Sequence, residues 1–103
     1  MKVVIVKPYE RAKICEIEGT LSSMQKLVGG RIEAVYYFRD AVLVCNDEGK
    51  INNMPFNRMI FDDEGNLIDI IAGPFFICGQ GDEDFTSLTD EQAIYYKKKF
   101  LIP

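Results

Sequence analysis

The apolar residues of this chain fall in short runs, each closed by a turn signal before it reaches the length of a long helix. Residues 2–7 are a β-branched run ended by Pro8, and residues 13–18 alternate in part, so the two read as an opening hairpin. Residues 31–38 set Ile32, Ala34, Tyr36 and Phe38 against Arg31, Glu33, Val35 and Tyr37, the pattern of a strand with one core face. Beyond Arg39 and Asp40, the unbroken apolar stretch at 41–46 reads as a central strand. Asp47-Glu48-Gly49 and Asp63-Glu64-Gly65 each put a glycine where a hairpin loop needs positive φ. Residues 67–71 and 75–78 are further strands, joined by a bend at Ala72-Gly73-Pro74. Between the two Asp-Glu-Gly turns, residues 51–58 neither alternate nor repeat helically, which predicts a loop leading into a short strand at 59–61.

Two segments carry helical signals instead. Thr20 or Ser22 can cap a helix of about two turns over 22–28, where Leu21, Met24, Leu27 and Val28 share a face and Gly29-Gly30 supplies the stop. Near the end of the sequence, Thr89 can cap and Gln92 can close a capping box, with Leu88 placed to pack on Ala93. Asp90 and Glu91 suit the positive end of that helix dipole and Lys97, Lys98 and Lys99 the negative end, so the lysine run is read as a helix terminus over 90–100. The expected architecture is one α+β domain over residues 1–103, a mostly antiparallel sheet with one short helix and one C-terminal helix. At 103 residues and 48% apolar composition, the chain can bury a core without staples.

Composition excludes several chemistries. With no histidine, neither a Ser-His-Asp nor a Cys-His arrangement is available, and the common zinc sets cannot form. Cys15, Cys45 and Cys78 are odd in number, far apart and set in apolar runs, so they are expected as free, structural thiols, with no metal and no cofactor. The opening residues carry too short an apolar run for a signal peptide, and none approaches membrane-spanning length, so a cytoplasmic protein without membrane contact is expected. Gly79-Gln80-Gly81 lacks the third glycine of a dinucleotide loop and runs into Asp82-Glu83-Asp84, which would repel a pyrophosphate. Nine acidic and no basic side chains lie between Met59 and Tyr96, which disfavours non-specific phosphate binding, so no direct nucleic-acid binding is expected.

The residues best suited to a ligand are Asn53, Asn57 and Arg58, with Asn46 at the end of the predicted central strand as a neighbour. Amides make directed hydrogen bonds, and a guanidinium suits carboxylate or phosphate in bidentate geometry. Arg58 is the one basic residue between Lys50 and Lys97, the natural anchor for an anion. The alternative is that the asparagines satisfy loop backbone and Arg58 pairs with a nearby acid.

VGGRIEAVYYFRD, VLVCNDEGKI, the Asn57-Arg58 pair, DIIAGPFFICG and DFTSLTDEQ follow one another along nearly the whole chain. Together they resemble the family called domain of unknown function 3846, met in bacteria, phages and conjugative elements; Tyr37, Asn53 and Pro74 depart from its usual residues. The resemblance implies a genomic setting and no established activity. The leading expectation is a non-enzymatic binding module of a phage or mobile element, contacting a host protein or sequestering a small anionic ligand. A small enzyme using carboxylate or Lys chemistry is one alternative, and an acidic nucleic-acid mimic is another, which clustering of the nine acids on one face would favour.

Overall fold

A computed structural model describes Met1–Pro103. Its element order is β1 (Lys2–Val6), β2 (Lys13–Glu16), α1 (Leu21–Val28), β3 (Ile32–Val35), β4 (Ala41–Asn46), β5 (Phe56–Phe61), β6 (Leu67–Ala72), β7 (Phe75–Gln80), β8 (Phe85–Thr86) and α2 (Asp90–Lys99). Five strands run in the order β2-β1-β7-β4-β3, with β8 on the end of β7, and β5 and β6 form a separate two-stranded ribbon. Every pairing is antiparallel, as expected for an α+β chain whose strands are linked by tight turns.

The central strands β4 and β7 are apolar on both faces because both faces are covered. On one side Val3, Val42, Val44, Phe76 and Cys78 pack against Met24 and Val28 of α1. On the other, Val4, Val6, Leu43, Phe75 and Ile77 pack against Ala93, Tyr96 and Phe100 of the α2 region and against Ile60 and Ile71 of the ribbon. The ribbon and α2 thus share one face of the sheet, and α1 holds the other.

Both helices start as their sequences require. The Thr20 side chain accepts from the Ser23 amide, and Gly29 closes α1 in the left-handed region at φ 82°. At α2 the full capping box forms: Thr89 Oγ1 accepts from the Gln92 amide, and Gln92 Oε1 accepts from the Thr89 amide. Leu88 and Ala93 lie in the same core cluster, the packing expected of them.

Gly65 takes the expected positive φ, at 85°, but Gly49 does not, because β4 and β5 form no hairpin, and β2 stops at Glu16. Three further boundaries differ from the sequence reading. The strand expected over 31–38 ends at Val35; Ile32 and Ala34 pack on the α1 side, Tyr36 is exposed, and Phe38 crosses to the α2 side. The strand expected at 59–61 begins at Phe56, so Asn57 and Arg58 are strand residues and not loop residues. The segment expected as a loop from Gly79 to Phe85 is partly sheet, because β7 runs on to Gln80 and pairs with Phe85 and Thr86. No helix is long and apolar enough to cross a membrane.

Candidate functional site

The Asn57-Arg58 pair sits on β5, where the pairing register with β6 slips. Phe56 lies opposite Ala72 and Arg58 opposite Ile71, leaving Asn57 as an extra residue on β5. A bulge of this kind breaks strict alternation, so two consecutive polar side chains turn toward the core. Asn57 is 2% exposed and Arg58 5%. Asn57 Nδ2 donates to the Val6 carbonyl at 2.9 Å and the Gly73 carbonyl at 2.8 Å, and its Oδ1 accepts from Arg58 Nη1 at 2.9 Å. Arg58 Nη2 donates to the Glu10 carbonyl at 2.7 Å and the Phe100 carbonyl at 3.0 Å, and Nε reaches the same Phe100 oxygen at 3.2 Å.

These contacts use the pair inside the protein. The guanidinium faces carbonyl oxygens and no carboxylate, and burial alone holds its pKa below the usual arginine value. The Phe100 carbonyl belongs to the C-terminal end of α2, where aligned peptide dipoles present partial negative charge, so a cation there is favoured. Arg58 thereby ties three pieces of chain together: β5, the β1–β2 loop at Glu10, and the end of α2. Ala12 adds to the same joint by donating its amide to the Leu101 carbonyl at 3.2 Å.

The other two candidates are committed elsewhere. Asn46 is buried; its Nδ2 donates to the Val28 carbonyl at 3.2 Å and its Oδ1 accepts from the Glu48 amide at 2.7 Å, joining the end of α1 to the β4 turn. Asn53 is exposed in the following turn at φ 55°, a left-handed conformation asparagine tolerates better than most residues. The four residues therefore do not converge on one ligand. Asn46 serves the α1 side of the sheet and the Asn57-Arg58 pair the α2 side.

The remaining polar networks are also closed. Asp69 accepts from Tyr37 Oη at 2.7 Å and Lys50 Nζ at 3.0 Å; burial pushes its pKa up, but these hydrogen bonds outweigh that and hold it below the usual carboxylate range. Asp40 accepts from Tyr96 Oη at 2.6 Å and from Gln92, and is likewise lowered, chiefly by Tyr96. Burial pushes the Cys45 thiol up to about 11 and the Cys78 thiol up to about 12, so both stay protonated and unreactive near neutral pH. The acidic residues divide over the molecule. Asp62 and Asp63 border a cleft with Tyr37 and Tyr95, whereas Asp82, Glu83 and Asp84 border one with Met24 and Val42 on the α1 side.

What pattern reading missed is the outward face of the ribbon. The cross-strand pairs Arg58–Ile71 and Ile60–Asp69 turn inward, whereas Met59–Ile70 and Phe61–Leu67 turn outward. A second register slip leaves Ile68 extra on β6 and also exposed. Phe56, Met59, Phe61, Leu67, Ile68 and Ile70 are each 40 to 52% exposed on two adjacent strands. At typical side-chain areas, that is on the order of 500 Å² of apolar surface, near the top of the range for the largest patch on a monomer. The signal in the sequence was the excess of apolar residues over 59–71, more than one inward face can absorb.

No curated protein and no solved structure matches the chain. One family model does, over residues 1–101, the span in which all the strings behind the resemblance lie. The chain belongs to the family described as Domain of unknown function (DUF3846).

Proposed function

We propose that this protein is a non-enzymatic binding module that docks on another protein, in the setting of a phage or mobile element a host protein, through the outward face of the β5–β6 ribbon. The observation that carries this reading is the set of six exposed apolar side chains on adjacent strands. A patch of that size supplies the dry centre of a standard interface, whose total is about 800 Å² per partner once a polar rim is added. The rim at the ribbon tip is Asp62, Asp63 and Glu64, and Arg58, the ribbon's one basic residue, is buried. The partner that fits is an apolar surface with basic residues placed to meet that tip.

The ribbon is built to offer a face and not an edge. Pro55, a bulge in each strand and the inward Arg58 and Asp69 are devices that blunt edge-to-edge pairing. Small-anion capture by Arg58 has less support, since its donors already have carbonyl partners. Carboxylate or thiol catalysis also has little, since the perturbed carboxyls Asp40, Asp62, Asp69 and Asp90 are lowered and the two buried thiols raised, all away from neutrality.

Site-specific photo-cross-linking tests the reading. A benzoylphenylalanine at Met59 or Ile70 is expected to give one discrete adduct with a protein of the native host, and the same group at exposed Glu91 is expected to give none. Equal adducts from all three positions would overturn it.

A further inference from the structure

We propose that the β1–β2 loop and the last turn of α2 together form a binding surface for the phosphate backbone of a single-stranded nucleic acid, with Tyr9 as a stacking platform for a base. In sequence, Lys7, Arg11 and Lys13 lie far from Lys97 and Lys98. The fold joins them. Arg58 holds the Glu10 and Phe100 carbonyls on one nitrogen, and the Ala12 amide reaches the Leu101 carbonyl. Five of the chain's 12 basic residues are thus brought to one end of a molecule whose net charge is −4, while Lys99 turns to the other flank of α2, over the Phe38 ring and in a cleft that Asp40, Asp62 and Asp63 also line. All five are exposed, and the one ion pair among them is the 3.9 Å contact of Lys13 with Glu10.

Tyr9 gives the surface a second, independent feature. It is 79% exposed and sits at φ 66°, a left-handed conformation that costs a tyrosine energy, between Lys7 and Arg11. A ring displayed between cations is the arrangement that takes a stacked base beside its phosphates, without reading sequence. A duplex is disfavoured because its bases are stacked and paired and leave no free face for the Tyr9 ring. A single strand is also favoured over an anionic bilayer, because a bilayer offers no base for the exposed Tyr9 ring to stack on and so uses the cations alone.

The test is fluorescence anisotropy of a labelled oligothymidylate of about fifteen nucleotides, with vesicles of phosphatidylserine and phosphatidylcholine as a parallel arm. If about four phosphates are engaged, affinity should fall roughly fifty-fold between about 50 and about 200 mM salt. Arg11→Gln with Lys98→Gln should weaken binding at low salt and flatten that dependence. Tyr9→Gly, which suits the left-handed backbone, should lower affinity about ten-fold and leave the salt dependence unchanged. Circular dichroism on each variant confirms the fold. The proposal fails if the oligonucleotide does not bind at low salt, if the double variant keeps the wild-type salt dependence, or if vesicles bind and the oligonucleotide does not. A change at Ile70, which unlike Met59 lines no cleft with Lys99, should leave oligonucleotide binding unchanged, so this surface and the ribbon face stand or fall separately.

Discussion

Replacing Arg58 by alanine should unfold the protein far more readily than replacing any exposed arginine. The side chain is 5% exposed and donates to the carbonyls of Glu10 and Phe100 and to Asn57 Oδ1. Removal leaves three acceptors short of a donor around a cavity that the aliphatic stem had filled. A hydrogen bond to a charged group contributes about 1.5 to 3 kcal/mol, and stranding a buried acceptor costs about 1 to 3 kcal/mol. These terms overlap and water refills part of the space, so a net loss of about 3 kcal/mol is the working figure. For a domain near this size, each kcal/mol lowers Tm by about 4 to 8 °C, giving a fall of about 12 to 24 °C. Guanidinium unfolding measures the loss, with amide exchange to show that protection drops first at the β1–β2 loop and the end of α2. Arg11→Ala, at an exposed position, is the control and should change stability by about 0.5 kcal/mol or less. A loss below about 1 kcal/mol for Arg58→Ala would refute the clamp and return the guanidinium to the list of ligand groups.

Three further outcomes follow from the same contacts. Thr89→Ala removes one arm of the capping box and should cost about 1 kcal/mol, read as a Tm fall of about 4 to 8 °C. Thiol titration of the denatured, unreduced protein should count three, and in the native protein Cys15 should react well before Cys45 and Cys78, which burial pushes up to about 11 and about 12. The Asp40 pKa is lowered in the folded state, first by the Tyr96 hydroxyl, so its contribution is full above the usual aspartate pKa and is lost as pH falls through the lowered one. Tyr96→Phe should therefore flatten the stability-versus-pH curve below about pH 4, and an unchanged acid limb would contradict that link.

Much of the framework was legible because local signals agreed with one another. Thr89 and Gln92 named the start of α2, Gly29 ended α1, and the unbroken run at 41–46 marked a strand covered on both faces. The misreading of β5 has a single physical cause. A bulge at Asn57 turns two neighbouring polar residues inward, and period-two reasoning takes such a pair for a loop. Asn57 and Arg58 stood out in the sequence, but composition does not say whether a guanidinium aims at a ligand or at the carbonyl of residue 100. The Lys97–Lys99 run was read as a helix terminus, which it is. The neighbourhood of Lys97 and Lys98 with Lys7, Arg11 and Lys13 depends on long-range contacts that no local pattern encodes. The ribbon's outward face was hidden for a similar reason, since exposure of Met59 or Leu67 is decided by what does not pack on them.

The proposed function divides labour within the ribbon, giving its inward polar residues to the fold and its outward apolar residues to a partner. The most direct measurement is competition by the double variant Met59→Glu, Ile70→Lys against the photo-cross-linked wild-type protein, with unfolding of the same sample as its internal standard. These two residues face each other across the strands, so the opposite charges suit the ribbon. Stability within about 0.5 kcal/mol of wild type and no competition for the adduct are expected. A variant that competes as well as wild type, or that loses several kcal/mol because its outward face belongs to the fold, would contradict that division.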